Sequence, residues 1–172
     1  MTRNIKVDVN IHPADWDIRY FCHQALLDGT IACLVKHPIG GNIDDPGAEV
    51  GPPVGALAET VPMGMVMQEF VKFDNTRMTM DMSDFELKMA GGKAALVTRG
   101  GLTVRTIADP PETRLSNKTA YYDMNGFLTT EPDPNDTSPP VGRFLGERDA
   151  EGYAYVMLSM PTYNDPARAL GV

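Results

Sequence analysis

The last part of the chain constrains the fold more than any other segment. Residues 139–160 read PPVGRFLGERDAEGYAYVMLSM. An apolar run around Phe144 meets a polar turn at 147–152, and a second run follows in which apolar residues alternate with small or polar ones. The alternating apolar residues are Tyr153, Tyr155 and Met157. This order predicts a β-hairpin, and no catalytic residue type is needed to explain it.

The first sixty residues carry weaker signals of the same kind. Apolar residues alternate with polar ones at 5–11, which predicts an extended N-terminal arm or strand within residues 1–20. The pair Asp28-Gly29 predicts a turn before a buried strand at 31–35. Residues 38–60 are rich in Gly and Pro and predict a long ordered connector.

The remaining segment is the densest in β signals. We expect strands at 94–98 and 102–107, joined by a turn at Arg99-Gly100-Gly101. A strand at 119–123 leads to Asn125-Gly126, a pair typical of tight turns. Short strands at regular spacing predict a mainly β fold, a small β-barrel or β-sandwich with an extended N-terminal arm.

This pattern also suggests a division of the chain. We expect residues 1–60 to form an arm and connector, and residues 61–172 to form the barrel-like domain. An independent core before the connector is not expected, because so few residues precede it.

Composition narrows the class of protein. The chain has 172 residues and a formal net charge of −8, so we expect no general binding to nucleic acid, which needs a basic surface. No apolar run approaches the roughly 20 residues of a membrane span, and the N-terminus lacks the apolar core of a secretory signal. Two cysteines are too few for a disulfide scaffold.

Three groups of residues have the chemistry of metal ligands. Cysteine and histidine suit zinc, and they cluster at Cys22, His23, Cys33 and His37. Thioethers suit Cu(I), and two alternating triplets supply six of them: Met63, Met65, Met67, Met78, Met80 and Met82. Oxygen ligands for Ca²⁺ are close together at Asp133, Asn135 and Asp136.

A structural role is favoured for each group. The cysteine spacing lacks C-x-x-C, and the acidic loop lacks the EF-hand pattern. Methionine is a common filler of cores and adaptable interfaces, so we expect the Met-rich strands to face the core or a subunit interface. The predicted metal and cofactor content is therefore none.

The sequence lacks the familiar motifs of catalytic sites. The four serines, Ser83, Ser116, Ser138 and Ser159, lack the G-x-S-x-G context, and no phosphate-binding loop is present. Carboxylates are paired at Asp44-Asp45, at Asp133 and Asp136, and at Glu147, Asp149 and Glu151, all within polar turns. Solvated turn charge is the favoured interpretation. We expect no catalytic residue and no enzymatic activity.

The C-terminal half, from Gly91 to Pro161, resembles the capsid decoration (cement) proteins of tailed bacteriophages. The resemblance rests on the glycine pair before 102–107, on Ala120-Tyr121-Tyr122-Asp123 with Gly126, and on PVGRFL followed by an acidic turn and GYAYVML. In that family such a phrase closes a small β-barrel. It covers about 40% of the chain, since 71 of 172 residues lie in it, and brings no catalytic residue.

The resemblance implies a structural virion protein on the outer surface of an icosahedral head. Its expected partners are the major capsid protein and copies of itself, as a dimer or trimer, with synthesis in the host cytoplasm. The arm could then add a strand to a neighbour's sheet edge.

Two alternatives stay open. One is another virion part, such as a tail or head-completion protein. The other is a cupin-like metal-dependent enzyme or small-molecule binder. That enzyme would need histidines and a carboxylate on one face, and the chain's three histidines, His12, His23 and His37, all precede the main β region.

Overall fold

The computed structural model describes residues 4–7, 16–17, 20–23, 26–36, 49–67, 87–88 and 94–160. Within these ranges the protein is mainly β. The strands are β1 (Ile5–Val7), β2 (Trp16–Asp17), β3 (Phe21–Cys22), β4 (Leu26–Leu27), β5 (Ile31–Lys36), β6 (Glu49–Gly51), β7 (Pro62–Val66), β8 (Leu87–Lys88), β9 (Leu96–Val97), β10 (Arg99–Val104), β11 (Thr119–Tyr122), β12 (Leu128–Thr129), β13 (Gly142–Phe144) and β14 (Ala154–Ser159). A 3-10 helix spans Leu57–Glu59.

The strands form two curled six-stranded sheets. Sheet I has the order β1-β10-β14-β13-β11-β12, and sheet II has the order β2-β9-β7-β5-β6-β3. Strands β4 and β8 form a separate antiparallel pair. This arrangement confirms the predicted fold class, a mainly β barrel or sandwich.

Sheet I has one buried face and one solvent face. In β14, the side chains of Ala154, Val156 and Leu158 are buried, while Met157 and Ser159 are exposed. This alternation is typical of an antiparallel sheet that packs on a core with one face only. The buried face of sheet I therefore looks toward sheet II.

Sheet II is covered on both faces. Ile31 and Cys33 in β5 belong to the main core, which also holds the buried residues of sheet I. Ala32, between them, belongs to a second apolar cluster with Val50 and Leu96. Successive strand residues point to opposite faces, so the second cluster lies on the far side of sheet II.

Two direct connections hold the sheets together. The chain passes from β9 in sheet II to β10 in sheet I through a single residue, Thr98. The turn between β11 and β12 also reaches sheet II, because the amide of Ile31 donates a hydrogen bond of 2.8 Å to the carbonyl of Gly126. Buried, satisfied backbone groups at such a junction fix how the sheets meet.

A buried polar cluster ties the first strand to both sheets. Asp28 accepts hydrogen bonds from the amide and the Nδ2 group of Asn4, at 3.2 and 2.8 Å. Arg105 donates to Oδ1 of Asn4 at 2.9 Å, and the hydroxyl of Thr106 donates to the carbonyl of Gly29. The polar side chains therefore have partners, as burial requires.

The predicted closing hairpin and two of the predicted turns are confirmed. Strands β13 and β14 pair antiparallel as predicted, with Phe144 opposite Val156. Asp28-Gly29 and Asn125-Gly126 both form turns, with Gly29 and Gly126 at φ values of 76° and 77°. Positive φ favours glycine, which explains its presence there.

The predicted turn at Arg99–Gly101 is wrong. All three residues lie inside β10 and pair with β14. Gly100 has a φ of 132°, and the Tyr155 hydroxyl lies where a Cβ of Gly101 would be. The glycines thus admit an aromatic side chain across the strand rather than reversing the chain.

Two details of side-chain direction also differ from expectation. Met63 lies in the second cluster, whereas Met65 and Met67 lie in the main core. The register between β5 and β7 shifts by one residue at this point, and such a bulge turns Met63 to the other face. In β14, Tyr155 and Met157 point outward, opposite to the buried Val156.

Strands from the first sixty residues take part in both sheets. β1 pairs with β10, and β5 pairs with β7. The segment expected to be an arm thus contributes a strand to its own chain's sheet. The connector at 38–60 is described from residue 49 and holds β6 and the 3-10 helix.

Candidate functional site

A cleft of about 460 Å³ opens at the β12 edge of sheet I. Its lining comes from four stretches of the chain, at 57, 108–110, 122–125 and 129–136: Leu57, Ala108, Asp109, Pro110, Tyr122, Asp123, Met124, Asn125, Thr129, Glu131, Pro132, Asp133 and Asp136. Five of these residues are acidic, and none is lysine or arginine. We call it the acidic cleft.

The turns around the acidic cleft use several of its carboxylates. Asp109 accepts hydrogen bonds from the Thr129 hydroxyl and from the amide of Thr130. Asp123 accepts from two amides of its own turn, including that of Phe127 at 2.8 Å. These bonds fix the two carboxylates in place and leave them facing a negatively charged space.

The outer wall of the cleft is less constrained. Asp136 accepts from the amide of Ala58 at 3.1 Å, and Asp133 accepts from the amide of Asn135. Glu131 is 72% exposed, and among the described residues Lys118 lies 4.0 Å from its carboxylate. A surface pair at that distance contributes little, so Glu131 remains available to an incoming cation.

The solvent face of sheet I has the opposite character. Arg143 pairs across the sheet with Met157, and Leu145 bonds through its amide to the carbonyl of Tyr155. Leu145 and Met157 are 43% and 41% exposed. Large apolar residues on an exposed strand face, next to an arginine, are typical of a contact surface.

The charge on this face is one-sided. Strands β10, β11, β13 and β14 contain no aspartate or glutamate, although the chain as a whole has 23. They carry two exposed arginines, Arg99 and Arg143, and within the described ranges neither makes an ion pair. We call this surface the acid-free face: Arg99, Thr103, Arg143, Leu145, Tyr155 and Met157.

The structure places the two cysteines of the candidate zinc site apart. Cys22 lies in the second cluster and Cys33 in the main core, on opposite faces of sheet II. His23 is half exposed and pairs with Glu49 at 2.7 Å. His37 and His12 lie outside the described residues. Among the residues that are described, no three Cys, His, Asp or Glu side chains converge as metal ligands.

The candidate Ca²⁺ residues form a turn instead. The amide of Asp136 donates to the carbonyl of Asp133 at 3.1 Å, and the hydroxyl of Thr137 donates to the same carbonyl. The carboxylate of Asp133 is directed to the amide of Asn135.

The other candidates have structural contacts. The hydroxyl of Ser138 accepts from the amide of Tyr122, and the amide of Ser116 donates to Glu147. Asp149 accepts from the amides of Glu151 and Tyr153 in the β13–β14 connection. Ser159 is exposed on β14. Ser83, Asp44-Asp45, the Met78–Met82 triplet and the tail after Met160 lie outside the described residues.

Met63, Met65 and Met67 are buried, as expected for residues that fill a core. The bulge separates Met63 from the other two. The three thioethers therefore do not share the face that a copper site on β7 would need.

Neither of these two surfaces is apparent from the sequence. The acidic cleft joins segments that are far apart in the chain, and of its carboxylates only Asp133 and Asp136 had been singled out. The acid-free face has a sequence signal, the absence of acidic residues from four strands of an acidic chain, but it emerges only when the strands are known to be neighbours.

The chain matches no protein-family model and no curated protein. In the described ranges, no helix has the length and apolar character needed to cross a membrane.

Proposed function

We propose that this protein is a structural virion component that binds the outer surface of an icosahedral phage head and stabilises the capsid lattice by bridging major capsid subunits. The proposal rests on the position of the sequence segments that resemble capsid decoration proteins. They fall on β10, β11, β13 and β14, which are neighbours in sheet I, and β10, β13 and β14 carry the acid-free face.

This surface suits protein contact better than chemistry. Its exposed groups are apolar side chains, arginines and hydroxyls, and they lie on a strand face rather than in an enclosed pocket. Interfaces are enriched in aromatic residues, methionine and arginine, and depleted in acidic residues. Many modest contacts, repeated over a symmetric lattice, would give strong attachment by raising the effective concentration.

The test is a co-sedimentation experiment. Purified protein is mixed with expanded phage heads that lack any decoration protein, and the pellet is quantified. The expected result is saturable binding at a fixed ratio to the capsid subunit, together with higher resistance of the heads to heating. Protein that stays in the supernatant at every concentration would reject the proposal.

A further inference from the structure

The chain carries two surfaces of opposite charge that share no residue. The acid-free face presents Arg99 and Arg143. The acidic cleft presents five carboxylates. We propose that the acid-free face of one copy docks into the acidic cleft of a second copy. This inference rests on the proposed function insofar as it describes how copies meet in the assembly, but its test needs no capsid.

Charge complementarity is the first argument. Arg143 is exposed, and no carboxylate of the described residues of its own chain pairs with it. Within the described part of the chain, the cation beside Glu131 at the mouth of the cleft is Lys118, at 4.0 Å. An arginine and a carboxylate make short, paired hydrogen bonds when they meet. In the proposed contact, a second copy supplies a carboxylate to Arg143 and an arginine to Glu131.

The apolar residues give the second argument. Leu145 and Met157 flank Arg143 on the face. In the cleft, the exposed side chain of Met124 and the ring of Pro132 lie among the carboxylates. Residues that contribute most of the binding energy at an interface are often arginines surrounded by apolar side chains. Burying both sets together removes apolar surface from water while the charges pair.

The geometry of such a contact is directional. The face lies over β10, β14 and β13, and the cleft lies at the β12 edge of the same sheet. Each copy therefore has one face that docks and one cleft that receives the face of another copy. Such a heterologous contact closes as a ring or continues as an open chain, depending on the angle between copies, and a two-fold pair forms where two reciprocal contacts are made together.

Two charge-reversal variants separate the surfaces. Arg143→Glu alters the face and leaves the cleft intact, whereas Glu131→Lys alters the cleft and leaves the face intact. Both side chains are exposed, so folding should be retained, and far-ultraviolet circular dichroism checks this. Matched controls are Arg143→Lys, which keeps the charge, and Glu112→Lys, which makes the same reversal at an exposed position outside the cleft.

Sedimentation velocity over a range of protein concentrations gives the self-association constant of the full chain. At about 0.1 M salt, where charges act over about 10 Å, Arg143→Glu and Glu131→Lys should each weaken self-association at least tenfold. Glu112→Lys should match the wild type, and Arg143→Lys, which keeps the charge but not the paired hydrogen bonds, should weaken self-association less than Arg143→Glu. Mixing Arg143→Glu with Glu131→Lys should restore association, because one intact face then meets one intact cleft. The double variant should also associate, since its reversed charges remain complementary.

Several outcomes would overturn the proposal. They are a wild-type monomer at all concentrations, a single variant that associates like the wild type, and a mixture of the two variants that stays monomeric. If Arg143→Glu loses binding to phage heads but keeps its self-association, the occupant of the face is the capsid, and the contact between copies is rejected. Self-association without binding to heads would instead reject the proposed function alone.

Discussion

Glu147 shows how a single exposed side chain organises the closing hairpin. Its carboxylate accepts hydrogen bonds from the amides of Leu115 and Ser116, at 2.9 and 3.2 Å. These bonds join the loop before β11 to the connection between β13 and β14. The bond from Leu115 lowers the pKa of Glu147 below its ordinary value of 4.5, against a smaller opposing effect of desolvation, and the bond from Ser116 and the charges of Arg114 and Lys118 lower it further.

Replacing Glu147 by Gln should reduce stability at neutral pH but not in acid. The folded state favours the ionised carboxylate, so its contribution is present above the unfolded pKa and is lost as the pH falls below that value. Urea unfolding of wild type and Glu147→Gln at several pH values measures the difference. We expect the free energies of unfolding of the two proteins to converge below about pH 4. Glu112→Gln, an exposed control, should have the same free energy of unfolding as the wild type at every pH.

The thiol of Cys33 is buried in the main core. Burial raises its pKa from 9.0 to about 12, although hydrogen bonds with Tyr122 and Thr60 act in the opposite direction. The neutral thiol is favoured in the folded state, so its contribution to stability is present below pH 9 and is lost as the pH rises toward 12. At pH 8 the thiolate fraction is about 10⁻⁴, by the definition of a pKa.

Cys33 should therefore resist thiol reagents in the native protein. We expect labelling at pH 8 to proceed at least about a hundredfold more slowly than in denaturant, because only the thiolate reacts. The measurement uses a chromogenic disulfide reagent on Cys22→Ala, in which Cys33 is the remaining thiol. Rapid labelling of the folded variant would contradict the burial of this side chain.

At the scale of elements, the turn between β11 and β12 is a bridge between the sheets. Gly126 ends a turn in which its amide donates to the carbonyl of Asp123 at 2.9 Å. A Cβ at Gly126 would lie 2.6 Å from the carbonyl oxygen of Ile31 in sheet II. Glycine is required there twice, for its φ of 77° and for the approach of the neighbouring strand.

Gly126→Ala and Gly55→Ala separate these two requirements. Gly55 has a similar φ of 83°, but a Cβ there would contact nothing within 4 Å. Gly55→Ala should lower the free energy of unfolding by about 1 kcal/mol, the strain of the left-handed conformation. Gly126→Ala should lower it by about 3 kcal/mol, since the bond to Ile31 is also disturbed. Equal losses in urea unfolding would show that the turn does not bridge the sheets.

The same glycines show what a sequence reveals. Asn125-Gly126 was predictable as a turn, because φ preference and a short loop are local properties. Gly100-Gly101 was not predictable as strand, because its role depends on Tyr155 in a strand that is distant in the chain. The outward direction of Met157 was equally unpredictable, because apolar residues occupy both the inward and the outward positions of β14.

The candidate site depends even more on long-range contacts. Asp133 and Asp136 could be picked out as neighbouring carboxylates. Asp123 joins them through the pairing of β11 with β12, and Asp109 joins them through the bridge between Ile107 and Leu128. Arg143 becomes part of the acid-free face only once β10 and β14 lie beside β13. Neither surface has a local sequence motif, so neither could be assembled before the fold was known.

At the scale of the whole molecule, the two sheets share one core. Ile31 and Met65 from sheet II are buried together with Val156 and Leu158 from sheet I. Without residues 1–60, sheet II would retain β7 and β9 from among its strands, and the inner side chain of Met65 would lose its β5 neighbours. Burial of apolar surface is the main stabilising term in folding, so this loss is large.

A fragment comprising residues 61–172 should therefore fail to fold on its own. We expect it to unfold in urea without a sigmoidal transition, whereas the full chain unfolds cooperatively with coincident far-ultraviolet and tyrosine fluorescence signals. Adding a separately made 1–60 fragment should restore the transition if β1 and β5 complete the two sheets in trans. A sharp, cooperative transition of 61–172 alone would show instead that the first sixty residues are an appendage to an independent barrel-like domain.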